Sequence, residues 1–275
     1  MDSTPVQEVA PPRSAPWDAL PRLAHGLFRN RLRGTLSILG GLVLWEIVSR
    51  YIVNNQLFLA SPSQIIGAIV TLSETGELQH HIAVSGIEFI LGYVIASVLG
   101  VVLGVGMGMR VGVKQTMQPW VSGLYATPTI ALAPLFILWF GIGIWSKVIV
   151  VVTLVLFPVA INTEAGLRTV SVRLTEMLRS FGATERQIFW KLSLPSAMPF
   201  VLTGLKLGIG RGLIGVVVAE LFGARAGLGQ LISQSADAFN MPNLFAGVVV
   251  LAVAGIVLTA GFDWVETRLV PWTRD

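Results

Sequence analysis

Five ionisable side chains lie inside strongly apolar segments of this sequence: Glu46, Glu88, Lys206, Arg211 and Glu220. A charge in an apolar medium is costly, so such residues often mark the path of an ion or a polar solute. Lys206 and Arg211 make their segment locally cationic, which suits an anion, and with Glu220 they form the candidate pathway. The alternative is that both cations extend towards the end of the segment or pair with neighbours.

No grouping of residues indicates covalent catalysis or a metal centre. The chain has no cysteine, and its three histidines (His25, His80 and His81) lack a carboxylate at ligand spacing, which favours surface roles for them. The glycine pattern at 210–215 falls inside an apolar segment and not between a strand and a helix, and the phosphate-binding motif G-x-x-x-x-G-K-[ST] is not found. We therefore expect no enzyme activity, no bound metal and no cofactor held by this chain.

A charged stretch between two apolar segments, RSFGATERQIFWKLSLP at 179–195, is the second candidate site. Gly182 interrupts an apolar helical pattern at Leu174, Met177, Leu178 and Phe181. Thr184 can cap a new helix, with Gln187 completing a capping box. The pattern predicts two short helices that dock into a groove on a partner protein. The alternative is a helix that lies on lipid headgroups.

The elements that position these residues are predicted to span a membrane. Hydrophobic residues make up 53% of the chain and charged residues only 12%, about half the ~25% of soluble domains. Six segments are long and apolar enough to span: 34–53, 84–109, 118–139, 145–166, 199–222 and 243–263. The third contains Pro119, Pro128 and Pro134 and is expected to be kinked. The sequence thus predicts an all-α membrane protein of six helices.

The basic residues indicate orientation. Fourteen of the nineteen Lys and Arg residues flank alternate spans on the side of both termini, three lie on the other side, and two lie within a span. Both termini and the 179–195 stretch are therefore predicted to be cytoplasmic. The same distribution explains the high pI without nucleic acid, which we do not expect as a partner. Residues 1–33 are predicted to form a cytoplasmic tail and an interfacial amphipathic helix, and 34–275 the membrane domain.

Three local patterns predict further details. Ser61 before Pro62 predicts the start of a short helix, and the polar segment 223–242 predicts another that folds back. Glycines repeat every fourth residue in the second and fifth spans, at Gly100, Gly104, Gly108, Gly204, Gly208 and Gly212. Small residues at this spacing favour close packing of helices in lipid.

The 171–195 loop resembles the cytoplasmic loop of permeases from bacterial ATP-binding-cassette (ABC) importers. Their pattern is E-A-A-x-x-x-G-x9-I-x-L-P, and Glu176, Gly182 and 192–195 stand at its spacing. Met177 and Leu178 replace the two alanines, and Leu192 replaces the isoleucine. From about residue 59 the chain is similar to the nitrate/sulfonate/taurine group of these permeases. The similarity is carried by ATPTIALAPLFILWFGIGIWSK at 126–147, FPVAINTEAGL at 157–167, residues 194–222 and GLGQLI at 227–232.

The resemblance implies a type I ABC importer permease fold in the bacterial inner membrane. It implies a homodimer of permeases, two ATPase subunits that use ATP and Mg, and an extracytoplasmic solute-binding protein. The 171–195 segment, called the coupling loop below, would dock on the ATPase. The residues implied in coupling are Glu176, Gly182, Ala183, Thr184, Ile188, Leu192 and Pro195.

The solute implied by the resemblance is a sulfonate, taurine or nitrate, and a pyrimidine, riboflavin or an aromatic carboxylate is the alternative. Two other classes of protein stay open. An ion-coupled secondary transporter would contain inverted repeats, broken helices and a midplane carboxylate. It would leave the capped coupling loop unexplained. A structural membrane subunit would leave the ionisable residues inside the apolar segments unexplained.

Overall fold

A computed structural model describes residues 20–53, 55 and 57–270, with side chains from residue 33 onward. The chain divides into two units, the first ending at Asn55 and the second beginning at Gln56. Every element in the described ranges is helical. Most of the predicted cytoplasmic tail, residues 1–19, lies outside the described residues.

The first unit contains helix α1 (Leu20–Ile47), which continues as a π-helix over Val48–Val53. Its part from Arg33 to Val53 is long and apolar enough to cross a membrane, in agreement with the predicted span 34–53. Glu46, one of the ionisable residues in an apolar segment, accepts an ion-pair hydrogen bond of 2.5 Å from Arg50 Nε one turn later. Helix α1 passes position 33 without a break, so the boundary between an interfacial helix and the first span stays a prediction.

The second unit contains ten α-helices in its described residues. In chain order they are α2 (Pro62–Glu74), α3 (Glu77–Met109), α4 (Val111–Ala126), α5 (Ala133–Phe140), α6 (Ile144–Arg168), α7 (Val172–Ser180), α8 (Glu185–Ile188), α9 (Leu194–Gly223), α10 (Leu228–Asp237) and α11 (Met241–Leu269). Helix α6 lies between α3 and α9, and valines such as Val151, Val155 and Val159 are fully buried at the centre of the core.

Close approach of α3 and α6 depends on the predicted glycine repeat. A Cβ on Gly104 would lie 2.5 Å from Thr163 Cβ, and one on Gly100 would lie 2.8 Å from the Leu156 carbonyl. Gly108 meets Leu167 one turn further along. Contacts on both helices advance in the same direction, so α3 and α6 run parallel. The prediction that these glycines serve helix packing is confirmed.

Helix α9 packs on α6 with the opposite direction. Gly204 approaches Asn162 and Val159, while Gly212, two turns later, approaches Val155 and the Phe89 ring of α3. Later residues of α9 therefore contact earlier residues of α6, so the two helices are antiparallel. One end of α9 therefore lies next to α7 and α8, and we call it the loop end; the other end, next to α10, is the far end.

The third predicted span is not one kinked helix. It consists of two segments, Val111–Ala126 and Thr129–Phe140, which are bent by 81° at Thr127 and Pro128. Thr127 is extended (φ −71°, ψ 133°), as expected of a residue before proline, because the proline ring clashes with a helical predecessor. The prolines at 119 and 134 are tolerated inside α4 and in the first turn of α5.

The remaining local predictions agree with the structure. Ser61 caps α2, with its hydroxyl accepting from Gln64 N–H and Gln64 Oε1 accepting from Ser61 N–H. Helix α10 forms within the polar segment 223–242 and packs on α9 and α11. In the described residues, five helices are long and apolar enough to cross a membrane, or up to six if the bent pair counts as one span.

Candidate coupling loop and transport pathway

Gly182 ends the first helix of the coupling loop in the left-handed conformation, at φ 80°. Its N–H donates to the Arg179 carbonyl (2.9 Å), and the Ala183 N–H donates to the Leu178 carbonyl (3.0 Å). This pair of bonds is a Schellman motif, which satisfies carbonyls that a helix end leaves without partners. Glycine adopts the required backbone angle without a steric cost, so the predicted interruption at Gly182 is confirmed.

Thr184 begins the second helix by the predicted capping box. Its hydroxyl accepts from the Gln187 N–H (3.3 Å), and Gln187 Oε1 accepts from the Thr184 N–H (2.8 Å). Both bonds are local, which is why the sequence predicted them. The turn from Phe181 to Thr184 is therefore held from both sides.

An ion pair crosses this turn. Arg179 donates from Nε to Glu185 Oε1 (2.8 Å) and from Nη2 to Glu185 Oε2 (3.2 Å). The carboxylate raises the pKa of the Arg179 guanidinium, chiefly through these hydrogen bonds. The two-point contact links α7 to α8, since a guanidinium and a carboxylate match in one plane.

The coupling loop presents apolar side chains at its surface. Phe181 is 80% exposed, and Leu174, Met177 and Trp190 are also exposed. Glu176 is exposed on α7, whereas Ile188 is only 4% exposed. Ile188 therefore anchors α8 to this chain, and the exposed residues, rather than Ile188, are available to a partner.

The coupling loop is continuous with the fifth span. Helix α8 passes through a π-helix at Phe189–Ser193 into α9, so that one helix runs from Glu185 to Gly223. Pro195 therefore does not separate the loop from the span. Proline lies in the first turn of α9, where its missing N–H is least costly, and the wider π-helical turn precedes it. Leu192 lies within that turn and is partly buried.

Arg211 lies at the break in the third predicted span. Its Nη2 donates to the Tyr125 hydroxyl (2.7 Å), and its guanidinium carbon is 4.8 Å from the centre of the Tyr125 ring. Both residues line a cavity of about 190 Å³, with Thr127, Pro128, Thr129, Ile130, Thr153, Leu154 and Phe157. In the described part of the chain no carboxylate pairs with Arg211, so its charge is available to an anion.

Lys206 differs from Arg211 because it has a carboxylate partner. Its ammonium forms an ion pair with Asp263 of α11. Both side chains are about half exposed, 39% and 48%, so the pair is accessible but largely neutral. Of the two cations predicted for the pathway, Lys206 is neutralised by Asp263, and Arg211 keeps a positive charge that could bind an anion. Asp263, in the last span, was missed because nothing in the local sequence connects it to Lys206.

Glu220 is fully buried and is used inside the chain. Its Oε1 accepts from the Ser85 hydroxyl (2.6 Å), and its Oε2 accepts from the Gly229 N–H (2.6 Å). Glu88 and Lys147, both buried, lie near enough to interact with it electrostatically. The lysine offsets part of the negative charge, as buried ions require. Glu220 thus joins α9 to α3 and α10, a position that its sequence neighbours did not reveal.

A polar cavity of about 570 Å³ opens beside this buried cluster at the far end. Its walls come from the start of α3, from α10 and from the start of α11, and they include Glu77, His80, His81, Arg225, Gln234, Ser235, Asn240 and Asn243. His81 Nδ1 accepts from the Gly227 N–H (2.9 Å). The expectation of a mere surface role is therefore wrong for His81, which is partly buried between two helices.

A second ionic cluster joins the loop ends of α4 and α6. Lys114 Nζ and Arg168 Nη1 lie 2.7 Å and 3.6 Å from Glu164 Oε1. The cluster borders a cavity of about 650 Å³. Glu164 and Arg168 are four residues apart, the spacing at which opposite charges pair on one face of a helix, so a local pattern contains part of this cluster.

The chain matches the family described as binding-protein-dependent transport system inner membrane component over residues 96–275. A formylaminopyrimidine transport permease protein of Halalkalibacterium halodurans is 37% identical over 243 residues, covering 88% of this chain and 96% of that protein. The taurine transport system permease protein of Escherichia coli is 31% identical over 244 residues, covering 87% and 88%. The riboflavin transport system permease protein of Chloroflexus aurantiacus is 32% identical over 231 residues, covering 84% and 86%.

Among solved structures, the inward-facing MetNI methionine ABC transporter has a similar fold. The similarity has a TM-score of 0.56 and covers 71% of this chain and 95% of that chain. Sequence identity is 20%, so the likeness concerns the fold alone.

Proposed function

The chain belongs to the binding-protein-dependent transport system inner membrane component family, and we propose that it forms the membrane path for a small anionic solute. Members of this family are permeases of ABC importers, and they act with an ATPase and a solute-binding protein. Our proposal adds a bacterial inner membrane location, a second copy of this chain and two copies of the ATPase.

Docking of the ATPase on the coupling loop is supported by the loop's surface and stiffness. Phe181 and Met177 expose apolar area on α7, and the Schellman turn, the capping box and the Arg179–Glu185 pair hold that area in place. A preformed apolar surface lowers the entropy cost of binding. The distribution of Lys and Arg supports a cytoplasmic location of this loop.

Force applied to the coupling loop would reach the membrane through α9. Helix α8 and α9 are one helix, and α9 packs along α6 and contacts α3. ATP binding would close the ATPase pair and displace both coupling loops. The three packed helices would then tilt together, and the solute cavity would open to the other side.

The Arg211 cavity supports the solute class. It combines a guanidinium with the hydroxyls of Thr127, Thr129 and Thr153, beside the irregular backbone at Pro128. The three hydroxyls already donate to backbone carbonyls. The guanidinium is therefore the donor that suits the oxygens of a sulfonate or of nitrate. Non-helical backbone at membrane depth is tolerated where it lines a polar cavity. This cavity is the single observation that carries the proposal of an anion.

A pyrimidine is the second candidate, because the 37% identical relative is named a formylaminopyrimidine permease. The carbonyl and ring nitrogen of a pyrimidine also accept hydrogen bonds from a guanidinium, and the Tyr125 and Phe157 rings lie beside Arg211 for stacking. Relatives of similar identity are named for taurine, a sulfonate, and for riboflavin, a ring compound, so both candidates stay in the test.

The test is uptake by proteoliposomes that contain the chain with its ATPase, loaded with ATP and supplied with the binding protein. Partners are identified by co-purification, and labelled taurine, an alkanesulfonate, nitrate, a formylaminopyrimidine and riboflavin are compared. We expect ATP-dependent uptake of one of the anions. Uptake of the pyrimidine alone would contradict the anion proposal and support the second candidate. Uptake that follows an ion gradient without ATP would contradict the importer itself.

A further inference from the structure

The first amides of α10 are hydrogen-bonded by side chains from other helices. The Gly227 N–H donates to His81 Nδ1 (2.9 Å), the Leu228 N–H to Ser85 Oγ (2.8 Å) and the Gly229 N–H to Glu220 Oε2 (2.6 Å). A helix start leaves such donors without partners, and usually a neighbouring side chain caps them. Gly227, at the cap position of α10, has no side chain, so the capping groups come from α3 and α9.

The bonds around Ser85 and Glu220 form one connected set. The Ser85 hydroxyl accepts from the Leu228 N–H and donates to Glu220 Oε1 (2.6 Å), so it acts both as an acceptor and as a donor. Both Glu220 oxygens accept, and the carboxylate lies at the positive end of α10, where negative charge is favoured. We call Ser85, Glu220 and the amides of Leu228 and Gly229 the α10 clamp.

Close contacts at the start of α10 leave no room for a side chain at Gly227 or Gly229. A Cβ on Gly227 would overlap the Glu220 carboxylate, and one on Gly229 would lie 2.6 Å from the Val217 carbonyl. Gly227 also has a φ of 127°, which side chains rarely allow. The clamp therefore brings α10 against α9 with no room for a larger residue.

Helix α9 connects the α10 clamp with the coupling loop. From Glu185 to Glu220 the helix is continuous, which at 1.5 Å per residue is about 50 Å. That distance exceeds the ~30 Å hydrocarbon core of a bilayer, so the helix is long enough to connect the two sides of a membrane. Helix α10 in turn forms one wall of the polar cavity at the far end.

We propose that Glu220 is a positioning residue that makes α10 move with α9, so that displacement of the coupling loop moves the wall of the far-end cavity facing the binding protein. The inference rests on the proposed function, since it needs an ATPase on one side and a binding protein on the other. In the reverse direction, a loaded binding protein that presses on α10 acts through the clamp and α9 on the ATPase.

The experiment measures ATP hydrolysis of the assembled importer in proteoliposomes, with and without loaded binding protein, for Glu220→Gln and Ser85→Ala. Glutamine keeps the shape but has one acceptor oxygen where the clamp uses two. We expect basal hydrolysis to change little and the stimulation by binding protein to fall about tenfold, as for one lost charged hydrogen bond. Ser146→Ala is the matched control, because Ser146 is fully buried and donates only within its own helix region, to the Gly143 carbonyl (2.9 Å).

A distance measurement separates positioning from stability. Spin labels at Asp237 on α10 and Leu221 on α9, both exposed, should keep one narrow distance through the ATP cycle in the otherwise unaltered importer. In Glu220→Gln the distance should broaden. If Glu220→Gln does not assemble, Ser85→Ala decides the outcome.

Unchanged stimulation in Ser85→Ala, or an unchanged label distance with parallel loss of basal and stimulated hydrolysis, would overturn the α10 clamp as a positioning device. Failure of the proposed function is a different result: the unaltered importer itself would then show no ATP-dependent uptake.

Discussion

Arg179 and Glu185 hold the two short helices of the coupling loop together across the turn at Gly182. Their two hydrogen bonds, 2.8 Å and 3.2 Å long, run between residues on separate helices and lie at the surface. Exposed ion pairs contribute little to stability on average, so the value of this pair is geometric. It orients the turn that carries the exposed Phe181.

Replacement of Gly182 by valine should uncouple ATP hydrolysis from uptake. No atom lies within 4 Å of a Cβ at this position, so the cost is the left-handed backbone angle, about 1–2 kcal/mol for a residue with a side chain. The strain falls on the Schellman turn and not on the membrane core. Uptake and ATP hydrolysis in proteoliposomes measure the effect. Gly123→Val is the control, because Gly123 also has free space but lies inside a helix. Equal uptake in the Gly182 variant and the control would contradict the prediction.

Replacement of Glu176 by lysine should abolish most uptake without a loss of membrane insertion. Glu176 is exposed on α7, so a reversed charge there changes the surface offered to the ATPase and little else. Co-purification of the ATPase with the permease measures docking directly. Glu74→Lys, on an exposed position of α2, serves as the control for a reversed charge elsewhere. Full ATPase recovery with the Glu176 variant would argue against docking at α7.

Arg211→Lys should raise the KM of uptake about tenfold or more, because an ammonium cannot reproduce the paired hydrogen bonds of a guanidinium worth about 1.5–3 kcal/mol. Tyr125→Phe keeps the ring under Arg211 and removes only the 2.7 Å hydrogen bond, so we expect a smaller rise. Transport kinetics with the identified solute provide both values. An unchanged KM in Arg211→Lys would remove Arg211 from the solute path.

Lys206 and Asp263 are expected to act as a pair. Lys206→Asp and Asp263→Lys each bring like charges together and should lower uptake, whereas the double exchange restores the ion pair and most of the activity. The expected coupling energy is modest, about 1 kcal/mol or less, because both side chains are partly exposed. A double-mutant cycle on uptake measures it. If the double exchange is as inactive as Lys206→Asp alone, Lys206 acts on the solute instead.

Gly104→Ala should destabilise the α3–α6 contact. The added methyl would lie 2.5 Å from Thr163 Cβ, and overpacking of this kind typically costs about 1–3 kcal/mol. Thermal unfolding in detergent would show a lower midpoint. Gly86→Ala on the same helix is the control, since nothing lies within 4 Å of a Cβ there. A midpoint equal to that of the control would contradict the contact.

The features that the sequence predicted best depend on neighbours along the chain. The Thr184–Gln187 capping box, the turn at Gly182 and the Ser61 cap of α2 all join residues within a few positions. The apolar spans are equally local, because hydropathy over about twenty residues decides whether a helix can lie in lipid. The family resemblance followed from the coupling loop for the same reason.

The predicted pathway shows the limit of such local arguments. Lys206, Arg211 and Glu220 are alike in sequence, as charges in one apolar segment, but the structure separates them. Lys206 has Asp263 as a partner, Arg211 borders a cavity at the break after Thr127, and Glu220 is enclosed by Ser85 and the start of α10.

The sequence by itself thus determined the helices, their caps and the membrane as their solvent, since each depends on short stretches of chain. Only the tertiary structure decided which charge stays available to a solute and which serves the protein itself. Ser85 and Glu220 are 135 positions apart, and Arg211 and Tyr125 are 86 apart. Whether two such residues meet depends on how closely α3 and α9 pack on α6 through their glycines. A local sequence pattern does not contain the distance between two helices.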